Sequence, residues 1–333
     1  MNGPGIAVVI PTLNEAAGIA AVIDRLREDL PDDRPVRLIV ADGGSSDATR
    51  EIVAGIAATD HRVALIDNPA RLQSAAVNLV ARQCAGWAEL LVRCDAHALY
   101  PPGFVRAVAD ALERSGADSV VVPMDSEGTT CTGRAIAWVS DTPAGSGGSA
   151  HRGGRASGYV DHGHHAGWRL ARFLAAGGYD ESYSHNEDAE LDCRLNRSGG
   201  RIWLDADIRI TYFVRPTLGA LWRQYRNYGR GRSRTVRRHP GSMRARQLAV
   251  PGFVAANALA SLLGLVWGWA LLLPAAYLGA LGFISVQVAL RRRSACGLLA
   301  GPAALVMHVA WALGFAGGML AIRERPWRRE ALA

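Results

Sequence analysis

The stretch LVRCDAHALYP, residues 91–101, places two metal-ligand side chains directly behind an apolar run. The apolar run predicts a buried strand, and a Pro-Pro-Gly sequence follows it. Asp95 and His97 lie two positions apart, and an extended strand tip turns residues with that spacing to the same side. Ligands of α/β sheets bind at the carboxyl ends of strands. The stretch therefore predicts a strand that ends in a metal-binding turn, with an ordinary strand-end turn, a capping aspartate and an exposed histidine, as the alternative.

Strands and helices alternate on both sides of this stretch. Runs of β-branched and apolar residues predict the strands, and apolar residues at helical spacing predict the helices. The predicted strands are 6–10, 36–41, 63–66, 89–92 and 119–122, and the predicted helices include 73–84 and 104–115. This alternation predicts an α/β fold with a mostly parallel sheet and right-handed crossovers.

Two loops that follow the first two predicted strands have polar residues suited to a nucleotide. PTLNE occupies residues 11–15 and ADGGSSD occupies residues 41–47. Neither loop has the GxGxxG spacing of a dinucleotide site or the GxxxxGK[ST] pattern of a triphosphate site. Asp42 can accept hydrogen bonds from a base or ribose, and the glycines beside it let the backbone approach a ligand. The pattern predicts a nucleotide site built from side chains, with an ion near Asp95 and His97 binding the diphosphate.

The charge of the 333-residue chain is divided between two halves. Residues 1–207 contain 19 arginines against 28 acidic residues, a net charge of −9, and residues 208–333 contain 18 against 2, a net charge of +16. A basic half fits either nucleic acid or a membrane surface. Residues 249–290 and 296–322 contain no charged side chain, and each stretch reaches the roughly 20 residues of a spanning helix. The sequence therefore predicts a membrane-bound protein that does not bind nucleic acid.

About three transmembrane helices are predicted from these two stretches. The first is long enough for a hairpin broken near Leu273-Pro274, and the second for one helix or a pair kinked around Gly314–Gly318. The flanking arginines place residues 223–246 and 291–293 in the cytoplasm by the positive-inside rule. A single final span would leave the basic tail outside, unless the last segment is re-entrant. Residues 1–5 do not resemble a cleavable signal, so the acidic half is expected in the cytoplasm.

The composition changes after the fifth predicted strand. Residues 125–158 are rich in glycine, serine and threonine and predict a long loop, suited to a lid over an acceptor. His162, His164 and His165 follow, and their spacing matches no structural zinc site. We expect them to line a pocket, with a second metal site as the alternative. The five cysteines form no CxxC pair and are expected to be reduced.

A second acidic stretch, SHNEDAELDCRL at residues 184–195, predicts a helix with carboxylates in its first turn. Asn186 is placed to cap this helix, and two leucines four residues apart give it a buried face. Carboxylates at a helix N-terminus ordinarily stabilise the helix dipole. Two in succession, Glu187 and Asp188, indicate that one points into a cleft, where a carboxylate could deprotonate a hydroxyl nucleophile.

Five ordered motifs resemble those of the family 2 glycosyltransferases with the GT-A fold. They are PTLNE (11–15), ADGGSSD (41–47), RCDAHA (93–98), GGYDE (177–181) and NEDAEL (186–191). More narrowly, the chain is similar to exopolysaccharide glucosyltransferases of the succinoglycan type. That similarity rests on NPARLQSAAVNL (68–79), DAHALYPPGF (95–104) and the three-helix tail.

The resemblance assigns roles in donor binding and catalysis. It implies that Asp42 reads the uracil of a UDP-sugar and that the base of the ED motif falls on Asp188, with Glu187 beside it. The DxD metal motif falls on Asp95 and His97, which would hold a divalent cation, Mn²⁺ or Mg²⁺; the imidazole favours Mn²⁺. The remaining residues implied in nucleotide-sugar binding are Pro11, Thr12, Glu15, Arg71 and Gln73.

The resemblance also implies an acceptor site near the membrane. Residues 222–234 resemble the QxxRW motif of processive family members only in part, because the tryptophan is missing. Gln224, Arg226 and Arg230 could meet a lipid pyrophosphate, for which arginine forks are well shaped. The alternative is a basic amphipathic segment that lies on anionic headgroups.

The implied protein is an inverting hexosyltransferase of the bacterial inner membrane with a cytoplasmic catalytic domain. It would move a hexose, glucose by resemblance, from a UDP-sugar to a polyprenyl diphosphate-linked saccharide. A processive polysaccharide synthase and a sugar-1-phosphate nucleotidylyltransferase are the alternatives. The expected domains are a GT-A domain (1–215), a basic juxtamembrane segment (216–247), transmembrane helices (248–323) and a basic tail (324–333).

Overall fold

A computed structural model describes residues 5–147 and 155–320 of the chain. The predicted basic tail, residues 324–333, and the last residues of the predicted membrane segment lie outside this part. The described chain divides into two compact units. The first unit ends at residue 212 and the second contains the C-terminal helices, together with a segment, residues 125–147, from the middle of the sequence. That segment lies inside the predicted 1–215 domain, whose linear boundaries stay a prediction.

Most elements predicted from the sequence are present in the described chain. The strands are β1 (Gly5–Thr12), β2 (Val36–Asp42), β3 (Val63–Asp67), β4 (Ala88–Arg93), β5 (Ala98–Leu99), β6 (Ser119–Val122), β7 (Met124–Glu127), β8 (Gly158–Val160), β9 (His164–Arg169), β10 (Ile202–Leu204) and β11 (Ile210–Phe213). The helices are α1 (Ile19–Arg27), α2 (Thr49–Thr59), α3 (Gln73–Cys84), α4 (Phe104–Ser115), α5 (Cys131–Ser140), α6 (Pro143–Ser146), α7 (Leu170–Ala175), α8 (Glu187–Arg197), α9 (Leu218–Arg238), α10 (Ala245–Leu263), α11 (Leu272–Arg292) and α12 (Ala300–Leu320). The predicted helices 73–84 and 104–115 coincide with α3 and α4.

The first unit is built on an eight-stranded sheet with the order β3-β2-β1-β4-β9-β6-β10-β8. Strands β1 to β4 pair in parallel, as do β6 and β10. Strand β9 runs antiparallel between β4 and β6, and β8 runs antiparallel to β10 at the edge. The predicted mostly parallel sheet is therefore confirmed. The sequence prediction lacked β9 because HHAGWR contains neither a long apolar run nor a strict alternation.

Apolar residues cover both faces of this sheet. Ile6, Val8 and Ile10 of β1 pack in one cluster with residues of α1 and α4, while Ala7 and Val9 face a second cluster with residues of α3 and α7. Successive strand residues point to opposite faces, so a strand covered on both sides is apolar throughout. This burial fixes the strands, and the loops at their carboxyl ends become the positions for functional side chains.

The segment predicted as a long loop contains a helix. The Thr130 hydroxyl accepts a hydrogen bond from the Gly133 amide at 2.9 Å and caps the N-terminus of α5. Ile136 and Val139, three residues apart, are buried in the core of the second unit. The loop prediction is wrong for α5, because the glycine and threonine content of this segment masked the apolar face. Residues 148–154 of the same segment lie outside the described part.

A disulfide joins two of the five cysteines. Cys131 at the start of α5 is bonded to Cys296, with 5.2 Å between their Cα atoms and 165 residues between them in sequence. Cys84, Cys94 and Cys193 form no disulfide. The expectation of five reduced cysteines is wrong for this pair, because the fold brings together two residues whose spacing matches no local motif.

Two helices in the described residues are long and apolar enough to cross a membrane. They span Gly268–Arg292 and Ala295–Leu320, and a third apolar helix, Gln247–Leu263, is shorter. The apolar C-terminal helices predicted from the sequence are thus present as two candidate spans rather than about three. The second candidate contains α12 as one continuous helix, without the kink considered around Gly314–Gly318.

Helix α9 of the second unit packs closely against α12. A Cβ atom added to Gly314 would lie 2.1 Å from the Arg226 carbonyl oxygen, and one added to Gly229 would lie 2.2 Å from the Trp311 carbonyl oxygen. Glycines therefore let the two backbones touch, as in close helix pairs in membranes. Within the second unit, the apolar helix α12 therefore covers one face of α9, the helix of the basic segment that was predicted to lie on headgroups.

Candidate functional site

The loops after β1 and β2 are joined by hydrogen bonds. The Asn14 amide donates to the Ser45 hydroxyl at 2.8 Å, and the Ser46 amide donates to the Asn14 side-chain oxygen at 2.8 Å. The Glu15 amide donates to the Thr49 hydroxyl at 2.8 Å. Asn14 has a φ of +56°, a conformation that asparagine tolerates better than most residues. PTLNE and ADGGSSD thus form one double loop at the carboxyl end of the sheet.

Asp42 shapes this double loop. Its carboxylate is buried and accepts hydrogen bonds from the backbone amides of Gly44, at 3.0 Å, and Ser45, at 2.9 Å, with Arg50 at 3.4 Å. Burial alone would raise the pKa of Asp42, but the donors from Ser45, Gly44 and Arg50 outweigh it and hold the pKa below its usual value. The ionised carboxylate therefore faces its own turn.

The other residues predicted to bind the nucleotide lie around the double loop. Pro11 is half-buried, and the Thr12 hydroxyl donates to the Ile10 carbonyl at 3.0 Å. Arg71 is exposed, with a φ of +56°, and its guanidinium lies beside Gly44, where an added Cβ would approach it to 3.2 Å. The structure thus brings Pro11, Thr12 and Arg71 to one edge of the sheet.

Asp95 is held by two hydrogen bonds to one of its oxygens. Oδ1 accepts from Gln73 Nε2 at 2.6 Å and from Arg93 Nε at 3.2 Å. Burial would raise the pKa of the Asp95 carboxyl, but the positive charge of Arg93, followed by His164 and His97, lowers it. Since Oδ1 is occupied, Oδ2 is the oxygen that remains for a ligand.

The two histidines near Asp95 have different surroundings. His97 is half-exposed, and its Nδ1 lies 3.3 Å from Glu15 Oε1. His164, at the start of β9, is largely buried, and its Nε2 lies 4.0 Å from Asp95 Oδ2. Burial lowers the pKa of His164 to about 4, so the imidazole is neutral at neutral pH and keeps a lone pair. The predicted metal pair of Asp95 and His97 stays a prediction, and the structure adds His164 as a second imidazole near Asp95.

The first turn of α8 brings two carboxylates to the same region. The negative charge of Asp188 raises the pKa of His164, and that of Glu187 raises the pKa of Arg93. The two carboxylates therefore lie near the end of β4. Burial raises the pKa of Glu187, and the neighbouring charge of Asp188 raises it further. Asn186 precedes the helix with a φ of +71° and makes no capping hydrogen bond with its side chain. The prediction of an asparagine cap is therefore wrong, although the helix begins where the sequence indicated.

The GGYDE motif forms a tight turn fastened to α3. Asn78 donates through Nδ2 to the Tyr179 carbonyl at 2.8 Å and accepts through Oδ1 from the Tyr179 amide at 2.8 Å. Gly178 has a φ of +63°, and a Cβ there would lie 2.4 Å from Asn78 Oδ1. Only glycine satisfies both constraints, because the conformation and the lack of space each disfavour a side chain.

We expect Asn78→Ala to destabilise the protein by about 3 kcal/mol, because it leaves the buried amide and carbonyl of Tyr179 without partners. The effect is measured as a lower melting temperature of the full chain in detergent. Asn196→Ala is the control, since the Asn196 side chain donates to the Asp161 carbonyl at an exposed position. Equal melting temperatures for the two variants would contradict the role of Asn78.

Comparison with known proteins identifies the family. The family described as Glycosyl transferase family 2 matches residues 7–173. The succinoglycan biosynthesis protein ExoA of Rhizobium meliloti (strain 1021) is 44% identical over 321 residues, which cover 96% of this chain and 96% of that protein. The chain belongs to glycosyltransferase family 2. The resemblance predicted from the ordered motifs is confirmed.

Two solved structures resemble this family 2 glycosyltransferase in fold. The mannosyltransferase PcManGT from Pyrobaculum calidifontis, in complex with GDP-Man and Mn²⁺, has a TM-score of 0.58 and 18% identity, covering 95% of this chain and 87% of that one. GalNAc-T7 with UDP, GalNAc and Mn²⁺ has a TM-score of 0.51 and 15% identity, covering 71% and 48%. The predicted GT-A fold is confirmed.

The residues at the end of β4 suit a divalent cation of this glycosyltransferase. Asp95 Oδ2 and neutral His164 offer one oxygen and one nitrogen ligand 4.0 Å apart, a separation that one ion can bridge. Within residues 5–147 and 155–320, no group of three His, Cys, Asp or Glu side chains is placed to hold an ion. Further ligands would come from a diphosphate and water, as is common for Mg²⁺ in phosphate sites.

Several residues of this site were missed by sequence reasoning. Arg93 is almost fully buried, with its Nη1 2.9 Å from the Tyr179 hydroxyl. A charged residue inside an apolar strand is rarely buried unless it is paired. The position of Arg93 in an apolar strand could therefore have indicated a buried, paired side chain. His164 and Asn78 gave no comparable signal, because their contacts join residues far apart in sequence.

The three residues predicted to contact a lipid acceptor lie on α9 of the second unit. Gln224 Nε2 donates to the Tyr228 hydroxyl at 2.9 Å, one helical turn away. Arg226 and Arg230 have exposed side chains. The helix therefore presents guanidinium groups to the surroundings of the second unit.

Proposed function

We propose that this family 2 glycosyltransferase moves a hexose from a UDP-sugar to a polyprenyl diphosphate-linked saccharide, with inversion, in exopolysaccharide synthesis. The observation behind this proposal is that the charges of Asp95, in the third motif, and Asp188, in the fifth, both raise the pKa of His164. A candidate metal ligand and a candidate base therefore lie near the same imidazole. The 44% identity to a succinoglycan biosynthesis protein supports the exopolysaccharide assignment, and the choice of glucose rests on the resemblance of the motifs to succinoglycan-type glucosyltransferases.

The donor would bind along the double loop and the end of β4. Pro11, Thr12 and Glu15 would border the nucleotide, and Asp42 would fix the turn that receives the uracil. Arg71 would approach the diphosphate. A divalent cation, when bound, neutralises the charge that develops on the diphosphate leaving group.

Asp95 would serve this donor site through its two oxygens. Gln73 and Arg93 hold Oδ1, and this leaves Oδ2 in a fixed direction. A ligand oxygen that is already oriented costs no reorganisation when the donor binds. The hydrogen bonds from Gln73 and Arg93 therefore support the proposed role of Asp95.

Asp188 would act as the general base. Its carboxylate would take the proton of the acceptor hydroxyl as that oxygen attacks the anomeric carbon. The new carbon–oxygen bond forms on the face opposite to the bond that breaks, and the electron pair of the broken bond leaves with UDP. A single displacement inverts the configuration, so an α-linked donor gives a β-glycoside.

We expect this protein to be more active with Mn²⁺ than with Mg²⁺, because an imidazole ligand suits Mn²⁺ better. Electron paramagnetic resonance of bound Mn²⁺ measures the affinity independently of turnover. His164→Ala and His97→Ala form a matched pair, and the variant that weakens Mn²⁺ binding identifies the ligand. Full activity with Mg²⁺ and none with Mn²⁺ would refute the preference.

Features of the second unit support the proposed membrane location and lipid acceptor. Its two candidate spans and the exposed Arg226 and Arg230 support a chain bound to the bacterial inner membrane with its catalytic domain in the cytoplasm. Arginine forks suit a lipid diphosphate. Gln224 would contribute by holding Tyr228.

The proposed function is tested with detergent-solubilised full-length protein and radiolabelled UDP-sugars. Each donor is incubated with lipid-linked saccharide acceptors, and both UDP release and labelled lipid are measured. We expect one UDP-hexose to give labelled lipid only when the acceptor is present. Long polymer would instead support a processive synthase, and pyrophosphate-dependent formation of a nucleoside triphosphate would support a nucleotidylyltransferase.

A further inference from the structure

A continuous line of buried side chains lies behind the site. Arg93 Nη1 lies 2.9 Å from the Tyr179 hydroxyl, which lies 2.8 Å from His165 Nδ1. His165 Nε2 lies 2.7 Å from Asp192 Oδ1. These four residues are at most 8% exposed, and His162 Nδ1, at the rim, lies 2.8 Å from Asp192 Oδ2. Apart from Arg93, which also holds Asp95, none of the four has a role in the proposed chemistry.

Arg93 at one end of this line and Asp192 at the other set the direction of its hydrogen bonds. A guanidinium can only donate, so the Tyr179 oxygen accepts from it and its single proton is available for His165 Nδ1. The Asp192 carboxylate accepts, so His165 Nε2 carries the proton and donates to it, which leaves Nδ1 to accept from the Tyr179 hydroxyl. Tyr179 and His165 thus each accept from one neighbour and donate to the next, while Arg93 only donates and Asp192 only accepts.

The line joins the two elements that hold the proposed catalytic groups. At one end, Arg93 donates to Asp95 at the end of β4. At the other end, Asp192 lies on α8 four residues after Asp188, and residues with this spacing lie on the same face of a helix. His165 belongs to β9, the strand that lies next to β4 in the sheet.

We infer that Tyr179, His165 and Asp192 form a joint that sets the position of Asp188 relative to Asp95, and that they are positioning residues for sugar transfer. This inference rests on the proposed function, since it takes Asp188 as the base. The GGYDE turn is placed by Asn78 and presents Tyr179 to the joint. Buried polar groups that satisfy one another in a chain hold a more defined geometry than apolar packing alone.

The joint has a specific consequence for catalysis. Gln73 holds Asp95 without any contact to the joint, and Arg93 keeps its own hydrogen bond to Asp95, so we expect donor binding to survive loss of the joint. The approach of Asp188 to the acceptor hydroxyl does depend on it. A misplacement of about 1 Å can cost about 100-fold in rate. Breaking the joint is therefore expected to lower kcat and to leave UDP affinity unchanged.

Tyr179→Phe removes one oxygen from the joint and keeps the aromatic ring. We expect kcat to fall about 100-fold, with the KM for the UDP-sugar and the affinity for UDP with Mn²⁺ unchanged. Tyr159→Phe is the matched control, because the Tyr159 hydroxyl donates to the Ser115 carbonyl at an exposed position. Unchanged kcat in Tyr179→Phe, or equal losses in both variants, would overturn the inference.

Chemical rescue of His165→Gly tests the hydrogen-bond pattern. Imidazole can accept from Tyr179 and donate to Asp192, and it is expected to restore kcat. 1-Methylimidazole has no N–H and is expected not to restore it. Rescue by both compounds, or by neither in a variant that melts as a folded protein, would contradict the assigned directions.

Hydrogen exchange separates failure of the joint from failure of the proposed function. Tyr179→Phe is expected to speed exchange of the α8 amides at residues 187–192 and to leave α2 unchanged, whether or not a substrate has been found. Wild-type protein that transfers no sugar would refute the proposed function alone. Unchanged α8 exchange in Tyr179→Phe would refute the joint alone.

Discussion

Asp188→Asn is expected to lower sugar transfer by about 10³-fold and to leave UDP binding nearly intact. General-base catalysis contributes about 10² to 10⁴ in rate, and an amide cannot accept the hydroxyl proton. The substitution keeps the size of the side chain. It also retains an oxygen that can accept from the Ala189 amide, which now donates to Asp188 Oδ1 at 2.7 Å. The first turn of α8 should therefore keep its shape.

Single-turnover transfer of radiolabelled sugar measures this loss, and titration with UDP and Mn²⁺ measures donor binding. Glu187→Gln is the matched control, since it removes the adjacent carboxylate in the same turn. We expect Glu187→Gln to keep transfer within about tenfold of wild type, because it leaves the base in place. A half-active Asp188→Asn protein, or a larger loss in Glu187→Gln than in Asp188→Asn, would refute the assignment of the base.

Apart from the two-residue strand β5, the strands and helices up to β6 could be predicted because their signals are local. Apolar runs at Ile6 and Val36 and helical spacing in α3 and α4 need no knowledge of distant residues. Strand β9 is different, because its burial between β4 and β6 is a property of the sheet and not of HHAGWR. The disulfide between Cys131 and Cys296 was missed for the same reason.

The candidate site shows the same limit at single residues. Asp95 and Asp188 were predicted because each follows a recognisable strand or begins a recognisable helix. His97 was predicted from its spacing to Asp95, and its Nδ1 lies 3.3 Å from Glu15 Oε1. His164 reaches Asp95 from another strand, and local spacing contains no information on that contact.

Asp95→Asn is expected to abolish the dependence of UDP binding on a divalent cation. The amide can still accept from Gln73 or Arg93 through one oxygen, so β4 and its turn are expected to stay folded. The side chain at position 95, which faces His164, loses its negative charge in Asp95→Asn. A hard cation binds a neutral amide oxygen less strongly than a carboxylate. Transfer is expected to fall by about 10³-fold, because the leaving diphosphate is no longer neutralised.

The measurement is a UDP titration of Asp95→Asn and wild type, each with Mn²⁺ and with a chelator. Wild type should bind UDP more tightly with Mn²⁺, whereas Asp95→Asn should bind equally in both conditions. Asp67→Asn is the control, because this exposed carboxylate at the end of β3 pairs with Arg50 and not with His164. If Mn²⁺ strengthens UDP binding equally in wild type and Asp95→Asn, the cation lies elsewhere and the donor site must be assigned to other residues.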